Sequence, residues 1–420
     1  MNKKIKHLLS IVLTFALFNV NANTLERFDW TQINDGASSS FGKRAGLQAI
    51  ELNGKFYVLG GRVPDQSIPA FGNSQFYSDV WQSSDYGATW QEVVQDGTAP
   101  WAARAYFQAF KHKGYIYLLG GQDSIAVNNP GFNVNCLPQC QPFVLQSNFF
   151  NDVWRSKDGK NWQRMTAAAP WEGRAGLSAV SFRGWIYVMA GSVNDDSAII
   201  GDFGPARKYF NDVWRSKNGR HWQKVTMNAP WEPRAGGVAL VKGGYMYMIG
   251  GEDGFVCNEF TPRCPPYFND VWRSKNGKRW QKMTANAPWS ARPGHQCEVL
   301  MFRIVCFGGF GLSPDPTQPF APANPIDVWV SFTGKHWQQL SGDAGKPWQA
   351  NSPADIKYDF AAFSVVKVNG RFKPSIYTFG GDRETFDPFD FDQISKVDND
   401  VWRFSWAYQL DKRRILYHFD

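Results

Sequence analysis

Six different side chains follow a repeated pair of small residues, and they are the first candidates for chemistry in this 420-residue chain. The pair recurs as Gly60-Gly61, Gly120-Gly121, Ala190-Gly191, Gly250-Gly251, Gly308-Gly309 and Gly380-Gly381. The residues that follow it are Arg62, Gln122, Ser192, Glu252, Phe310 and Asp382. A position with a constant backbone context and a changing side chain is where a repeated scaffold can carry function. We therefore expect a ligand to meet this position.

Two carboxylates, one histidine and one tyrosine are the candidates for catalysis. Glu252 and Asp382 are suited to acid–base work or to hydrogen bonds with hydroxyl groups. His295 is the one histidine close to the same region of the repeat, and Tyr358 follows an insertion in the last repeat. A hydrogen-bonded histidine at the start of a strand is the structural alternative for His295. Arg383, directly after Asp382, adds a cation for ligand binding.

Five arginines recur at one position of the repeat and predict an anion site. They are Arg44, Arg104, Arg174, Arg234 and Arg292. A guanidinium binds carboxylate, sulfate or phosphate through two hydrogen bonds. Aspartates recur just as faithfully, at Asp79, Asp152, Asp212, Asp270, Asp327 and Asp400, so an Arg–Asp clasp between neighbouring units is the alternative. In the sixth repeat, Asn351 stands at the arginine's expected distance, with Lys357 and Tyr358 beyond it.

Six cysteines fall into three close pairs, which favours disulfides in an exported chain. The pairs are Cys136–Cys140, Cys257–Cys264 and Cys297–Cys306. The first two would close small loops, and the third would join the two arms of one hairpin. No histidine lies at ligand spacing from either loop pair. The sequence therefore predicts neither a metal site nor a cofactor.

A repeat positions all these residues. Residues 151–191 recur almost unchanged from Asn211 and from Asn269, with looser copies from Ser78 and Ile326 and a truncated copy from Asn399. Each copy contains four short alternating strands without helical spacing, which predicts the blades of an all-β propeller. The six small-residue pairs predict six four-stranded blades. The last copy lacks its fourth strand, and we expect the N-terminal strand that carries Trp30 to complete it.

The glycine pairs, the later aromatic positions and the four-strand period resemble kelch repeats, the propeller family that includes galactose oxidase. The run from Ser83 through Asp85 and Gly87 to Thr89-Trp90 resembles the Asp-box turn of sialidase-type propellers. A galactose-oxidase-like copper site would need two histidines near the axis, and only His295 is available. The chain also resembles exported six-bladed sialic acid epimerases in size and compartment, but no motif carries their catalytic residues over.

The long connections gather on one face of the predicted propeller. Strand direction alternates, so the second-to-third-strand loops and the crossings between blades share a face. The inserts are all of this kind: residues 62–78, 122–151, 192–211, 252–269, 310–326, 382–399 and the crossing 348–358. Insertions on one face of a repeat scaffold indicate the binding face.

The first 22 residues predict a secretory signal peptide. Lysines precede an apolar run that ends in Val20-Asn21-Ala22, a small-x-small cleavage site. Residues 23–420 would then be one propeller domain, periplasmic or secreted, with no membrane span. Lys and Arg number 45 against 37 acidic residues, a balance of +8, and no basic tract of the kind that binds nucleic acid is present. We expect a monomer.

These patterns support three hypotheses of function. The first is a glycan-binding propeller that takes an acidic glycan, or another anionic small molecule, on the insert-bearing face. The second is a carbohydrate-active enzyme on that face, either a sialic-acid-type epimerase (mutarotase) or a polysaccharide lyase. The third is a protein-interaction platform that uses the aromatic residues of the inserts.

Overall fold

The computed structural model describes residues 27–37, 40–65, 67, 73–129, 131–136, 142–193, 208–254, 266–310, 327–340, 357–383 and 396–407. The first elements are β1 (Arg27–Asn34), β2 (Gln48–Leu52), β3 (Lys55–Leu59), β4 (Arg62–Pro64), β5 (Ser74–Phe76), β6 (Val80–Ser83), β7 (Gln91–Val94), β8 (Gln108–His112), β9 (Tyr115–Leu119), β10 (Gln122–Asn128), a 3₁₀ turn (Val134–Cys136), β11 (Phe143–Phe149), β12 (Val153–Ser156) and β13 (Trp162–Thr166). The others are β14 (Ser178–Phe182), β15 (Trp185–Met189), β16 (Ser192–Val193), β17 (Lys208–Tyr209), β18 (Val213–Ser216), β19 (Trp222–Thr226), β20 (Val238–Lys242), β21 (Tyr245–Glu252), β22 (Tyr267–Ser274), β23 (Trp280–Thr284), β24 (Gln296–Leu300), β25 (Arg303–Phe307), β26 (Val328–Ser331), β27 (Gln338–Gln339), β28 (Ala361–Val368), β29 (Arg371–Asp382) and β30 (Val397–Ala407).

Six antiparallel four-stranded sheets form the blades of a ring, which confirms the predicted six-bladed all-β propeller. From the inside outwards they are β2-β3-β6-β7, β8-β9-β12-β13, β14-β15-β18-β19, β20-β21-β22-β23, β24-β25-β26-β27 and β28-β29-β30-β1. The second strands are short apolar runs because both of their faces are covered by neighbouring blades. In β3 and β15, for example, every residue after the first is buried.

The N-terminal strand closes the sixth blade, as expected. β1 pairs antiparallel with β30, from Arg27 opposite Ala407 to Asn34 opposite Val401. Trp30 is buried there and packs on Phe404, with ring centroids 4.9 Å apart. The outer edge of β30 is therefore paired within the chain, and the sixth blade has four strands like the other five.

The two faces of the ring differ in their connections. The first and third strands of every blade begin at one end of the ring, which we call the loop face. They end at the opposite end, which we call the turn face. Two-stranded ribbons extend the loop face as β4-β5, β10-β11 and β16-β17. Within the described residues, the connections at the turn face are tight hairpin turns, and the longer connections start and finish at the loop face, as the repeat predicted.

The turns between third and fourth strands share one hydrogen-bond network. In the first blade, Ser83 Oγ accepts from Gly87 N at 2.8 Å, and Asp85 Oδ1 accepts from Thr89 N at 2.9 Å. The indole nitrogen of Trp90 then donates to the carbonyl of Gly87 at 3.1 Å. The same indole-to-glycine bond recurs in the next four blades. The spacing from serine to tryptophan is thus set by turn geometry.

One of the three predicted disulfides lies within the described residues. Cys297 and Cys306 are opposite each other on β24 and β25 and are bonded, which confirms that pair. Cys140, Cys257 and Cys264 lie outside the described residues, as do the predicted signal peptide and Asn351. Within the described ranges, no helix is long and apolar enough to cross a membrane.

Candidate functional site at the mouth of the axial channel

A ring of six residues, one from each blade, surrounds the channel at the loop face. Five backbone N–H groups donate to carbonyls of neighbouring blades: Tyr106 to Gly46, Gly176 to Tyr106, Gly236 to Gly176, Asp359 to Gly294 and Gly46 to Asp359. All six residues have φ between 49° and 64°. Glycine adopts this left-handed conformation at little cost, and four of the six are glycine. Tyr106 and Asp359 are the exceptions, so they bring side chains to the ring.

The ring residues and the innermost strands of all six blades line a cavity of about 560 Å³ along the axis. Polar side chains in its wall join one blade to the next. Gln48 Oε1 accepts from the backbone N of Ala109 at 3.2 Å, and Gln296 Nε2 donates to the carbonyl of Phe360 at 2.8 Å. Part of the channel's polarity therefore serves contacts between blades.

The five repeated arginines are buried in ion pairs with repeated aspartates. In the third blade, both Nη atoms of Arg174 donate to the carboxylate of Asp212, at 2.6 and 3.1 Å, and Nη1 also donates to the carbonyl of Ala190. The other pairs are Arg44–Asp79, Arg104–Asp152, Arg234–Asp270 and Arg292–Asp327. None of the five arginine side chains is more than 3 % exposed.

This clasp lies within a blade, so the expectation that it would join neighbouring blades was wrong. First and third strands both begin at the loop face, and the arginine reaches across the end of the second strand to the aspartate. The indole of Trp214 donates to Asp212 at 2.8 Å, which explains why each Asp-Val-Trp motif needs both residues. The ring of Phe210 lies 3.7 Å from the guanidinium carbon. Because these guanidiniums are buried within their blades, a ligand at the channel mouth does not reach them.

The sixth blade has a lysine in the arginine's place. Lys357 is fully buried, and its Nζ lies 2.5 Å from Asp400 and 3.2 Å from Asp398. Burial raises the pKa of Asp398, but the charges of Lys357 and Arg383 outweigh it and hold that pKa below its usual value. The backbone of Lys357 pairs with that of Gly309, and Lys357 lies two residues before the ring residue Asp359. The apparent break in the arginine pattern is thus a substitution that keeps the ion pair.

Three residues from three blades meet at the mouth of the channel. Arg62 Nε donates to the hydroxyl of Tyr106 at 2.7 Å, and Nη2 donates to Asp382 at 2.8 Å. The Asp382 side chain is fully buried, whereas that of Arg62 is 14 % exposed. Burial raises the pKa of Tyr106 well above its usual value, so its hydroxyl stays protonated. Tyr106, which sequence reasoning missed, is marked by one signal: it replaces the glycine of the repeated Arg-Ala-Gly.

Two further carboxylates flank the ring. A Cβ atom placed on Gly294 would lie 2.8 Å from Oδ1 of Asp359, and one placed on Gly236 would lie 3.9 Å from Oε1 of Glu252. Both carboxylates therefore border ring glycines. Glu252 and Asp382 were candidates from the sequence, whereas Asp359 was not.

The other two catalytic candidates are buried away from this mouth. His295 is 2 % exposed, and its ring packs against Trp289. Burial and the charge of Arg292 lower its pKa to about 3, which keeps it neutral. Tyr358 exchanges two backbone hydrogen bonds with Asp382, but its ring is buried against Phe310.

The remaining ligand-binding candidates also have structural contacts. Gln122 is buried at the start of β10 and exchanges backbone hydrogen bonds with Ala105. Arg383 pairs with Asp398 and lies 3.8 Å from Asp400, so it joins the ion-pair cluster of the sixth blade.

Glu298 is a channel residue that the sequence did not reveal. It lies on β24 in the wall of the cavity and accepts hydrogen bonds from Ser364 on the neighbouring blade. Burial raises its pKa to about 7. Among the described residues, no group of three or more His, Cys, Asp or Glu side chains is arranged to hold a metal ion.

Comparison with known proteins supports the fold and goes no further. No protein-family profile matches the chain, and no curated protein matches it. Among solved structures, the structure of YjhT is similar, with a TM-score of 0.55 and 15 % sequence identity. The match covers 87 % of this chain and 95 % of that one.

Proposed function

We propose that this protein binds a carbohydrate at the mouth of its axial channel on the loop face. The observation that carries the proposal is the Arg62–Tyr106–Asp382 cluster, in which three blades bring a guanidinium, a hydroxyl and a carboxylate together. Asp359 and Glu252 border the same ring. Sugar hydroxyls both donate and accept hydrogen bonds, and fixed groups of this kind orient them.

An acidic sugar is the ligand we propose first. The five clasp arginines are buried in their ion pairs and no longer support it, whereas Arg62 is 14 % exposed at the mouth beside Tyr106 and Asp382, and we propose it as the cation that a sugar carboxylate meets. Asp382 pairs with Arg62, and Asp359 and Glu252 border ring glycines, so the site should hold one carboxylate and several hydroxyls. A polyanion would meet repulsion from these carboxylates.

Glycan-array binding with the purified protein tests the proposal. We expect Arg62→Ala to weaken binding of an acidic glycan at least about tenfold, because a charge-assisted hydrogen bond contributes ~1.5–3 kcal/mol. Arg215→Ala, which removes an arginine from the turn face, is the matched control and should bind normally. The proposal fails if no glycan binds, or if Arg62→Ala and the control behave alike.

Binding is better supported than the two enzymatic alternatives. The lyase hypothesis relied on His295 and Tyr358, which are buried away from the mouth, and the epimerase hypothesis has no matching residues. Release of an unsaturated or epimerised sugar would still favour an enzyme. A protein ligand that survives mutation of Arg62 would favour the interaction platform.

Export, a monomeric state and a kelch-like repeat belong to the same proposal. The Cys297–Cys306 disulfide is compatible with an oxidising compartment. Mass spectrometry of the mature N-terminus tests cleavage after Ala22. An intact leader on the exported protein would contradict it.

A further inference from the structure

The turn face carries a charge that the whole-chain total conceals. Its described turns are residues 51–55, 82–89, 111–115, 155–161, 181–185, 215–221, 241–245, 273–279, 300–303, 330–336 and 366–373. They contain 20 Lys and Arg against three acidic residues, Glu51, Asp85 and Asp158, a balance of +17. Since the chain totals +8, the rest of it carries −9. The two parts of the molecule are thus strongly opposite in sign.

Large apolar side chains protrude from the same face. Among the described residues, nine large hydrophobic side chains are exposed, and six of them lie at or beside these turns: Val241, Met301, Phe302, Phe332, Val366 and Phe372. Phe302 is 78 % exposed, Phe372 65 % and Phe332 59 %. Exposure of phenylalanine side chains to water is unfavourable compared with their burial. Several exposed phenylalanines on one face therefore indicate a contact surface.

Aromatic side chains hold cations in the same arrangement on three consecutive blades. In the third blade, the guanidinium of Arg215 lies 4.2 Å, and the ammonium of Lys217 4.9 Å, from the centre of the Trp185 ring. The second and fourth blades repeat this with Arg155, Lys157 and Tyr115, and with Arg273, Lys275 and Tyr245. Cation–π contacts of this kind position the charges without neutralising them.

We propose that the turn face docks on an anionic lipid surface. Basic side chains would bind the headgroups, and Phe302, Phe332 and Phe372 would insert into the boundary between headgroups and acyl chains. The polypeptide also enters and leaves the propeller at this face, since β1 begins and β30 ends there. Nucleic acid or a soluble polyanion would use the cations but would leave the apolar tips in water, so a lipid surface accounts for both features. The contact is peripheral and lies opposite the proposed carbohydrate site.

Vesicle co-sedimentation tests this proposal. The probes are vesicles of phosphatidylcholine alone and of phosphatidylcholine with phosphatidylglycerol in equal parts. We expect the protein to sediment with the anionic vesicles and to dissociate as salt is raised. Reversing three exposed lysines together, Lys157→Glu, Lys217→Glu and Lys275→Glu, should reduce partitioning at least about tenfold. Replacing the three apolar tips, Phe302→Ser, Phe332→Ser and Phe372→Ser, should have an effect of similar size.

Two exposed side chains of the loop face provide the matched control. Ile125 is 56 % exposed and Met227 50 %, and the variant Ile125→Ser with Met227→Ser should partition like the unchanged protein. Circular dichroism melting establishes that each variant is folded, and every variant keeps the same N-terminus. The proposal is overturned if the protein does not bind anionic vesicles. It is also overturned if the variant with Phe302→Ser, Phe332→Ser and Phe372→Ser binds them like the unchanged protein. Binding of RNA or heparin that is insensitive to the phenylalanines, without vesicle binding, would assign the face to a soluble polyanion instead.

Discussion

His295 directly precedes β24 and Glu298 lies within it, both in the channel wall, and burial shifts their pKa values in opposite directions. The pKa of His295 falls to about 3, and that of Glu298 rises to about 7. Both shifts favour the neutral form of the side chain, because the channel wall solvates charge poorly. The two groups therefore make opposing contributions to the pH dependence of folding.

The signs follow from proton uptake. As pH falls from 7 to 5, an unfolded histidine gains a proton that folded His295 does not, so stability decreases. Over the same range, folded Glu298 takes up a proton while an unfolded glutamate remains largely ionised, so stability increases. Each contribution is about 2 kcal/mol. We expect them nearly to cancel.

Replacing His295 or Glu298 alone should reveal the pH dependence of stability that the other residue causes. His295→Leu introduces the residue found at the equivalent position of two other blades, Leu47 and Leu177, and should raise the free energy of unfolding at pH 5 relative to pH 7 by about 2 kcal/mol. Glu298→Gln should lower it by a similar amount. Urea unfolding at the two pH values measures both. Identical pH profiles for the two variants would refute this account.

At the scale of elements, the Arg–Asp clasp holds three strands of a blade at the loop face. Arg174→Ala would leave the carboxylate of Asp212 buried with one remaining side-chain donor, the indole of Trp214. We expect a loss of about 3–5 kcal/mol in the free energy of unfolding, because removing the arginine leaves a buried carboxylate without its counter-charge.

The chain supplies a matched variant for this experiment. Arg174→Lys copies the natural pair of Lys357 and Asp400, so it should cost clearly less than alanine in urea unfolding. Arg183→Ala, at an exposed turn, should change stability by less than about 0.5 kcal/mol. If alanine and lysine at position 174 cost the same, the ion pair does not explain why arginine recurs.

The sequence predicted elements well because each blade repeats the same local physics. Asp-Val-Trp, the turn glycines and the small-residue pairs recur in nearly every copy, so strand order, blade number and closure by β1 could be read from spacing. Within a blade, however, spacing did not show which strands an arginine joins. It also misplaced the sixth-blade cation, because the crossing before Lys357 is longer than the others.

At the scale of the whole molecule, the mouth cluster and the basic face could not be derived from spacing. Arg62 and Asp382 are separated by 320 residues, and their contact depends on ring closure. Tyr106 stood out by one letter only. The basic residues of the turn face occur in ones and twos along the chain, so their sum emerges only when the blades are arranged in space.

Ring closure itself makes a prediction. A chain that begins at Ser40 lacks β1 and leaves the edge of β30 exposed, so it should self-associate. A synthetic peptide of residues 24–37 should restore the monomer, as measured by size-exclusion chromatography with light scattering. The same peptide with Trp30→Ala should fail, because Trp30 fills the interface with Phe404. A stable monomer without β1 would contradict the closing role of the strand.

The pairing of β1 with β30 also orders events during synthesis. Blades one to five use strands that are neighbours in the chain, so each can fold soon after it is made. The sixth blade joins the first described strand to the last, so it waits until β30 has been synthesised. Contacts so distant in sequence form slowly. Ring closure should thus be the last and slowest folding step, and until then the polypeptide is an open arc with β1 unpaired, the stage at which chaperones would meet it.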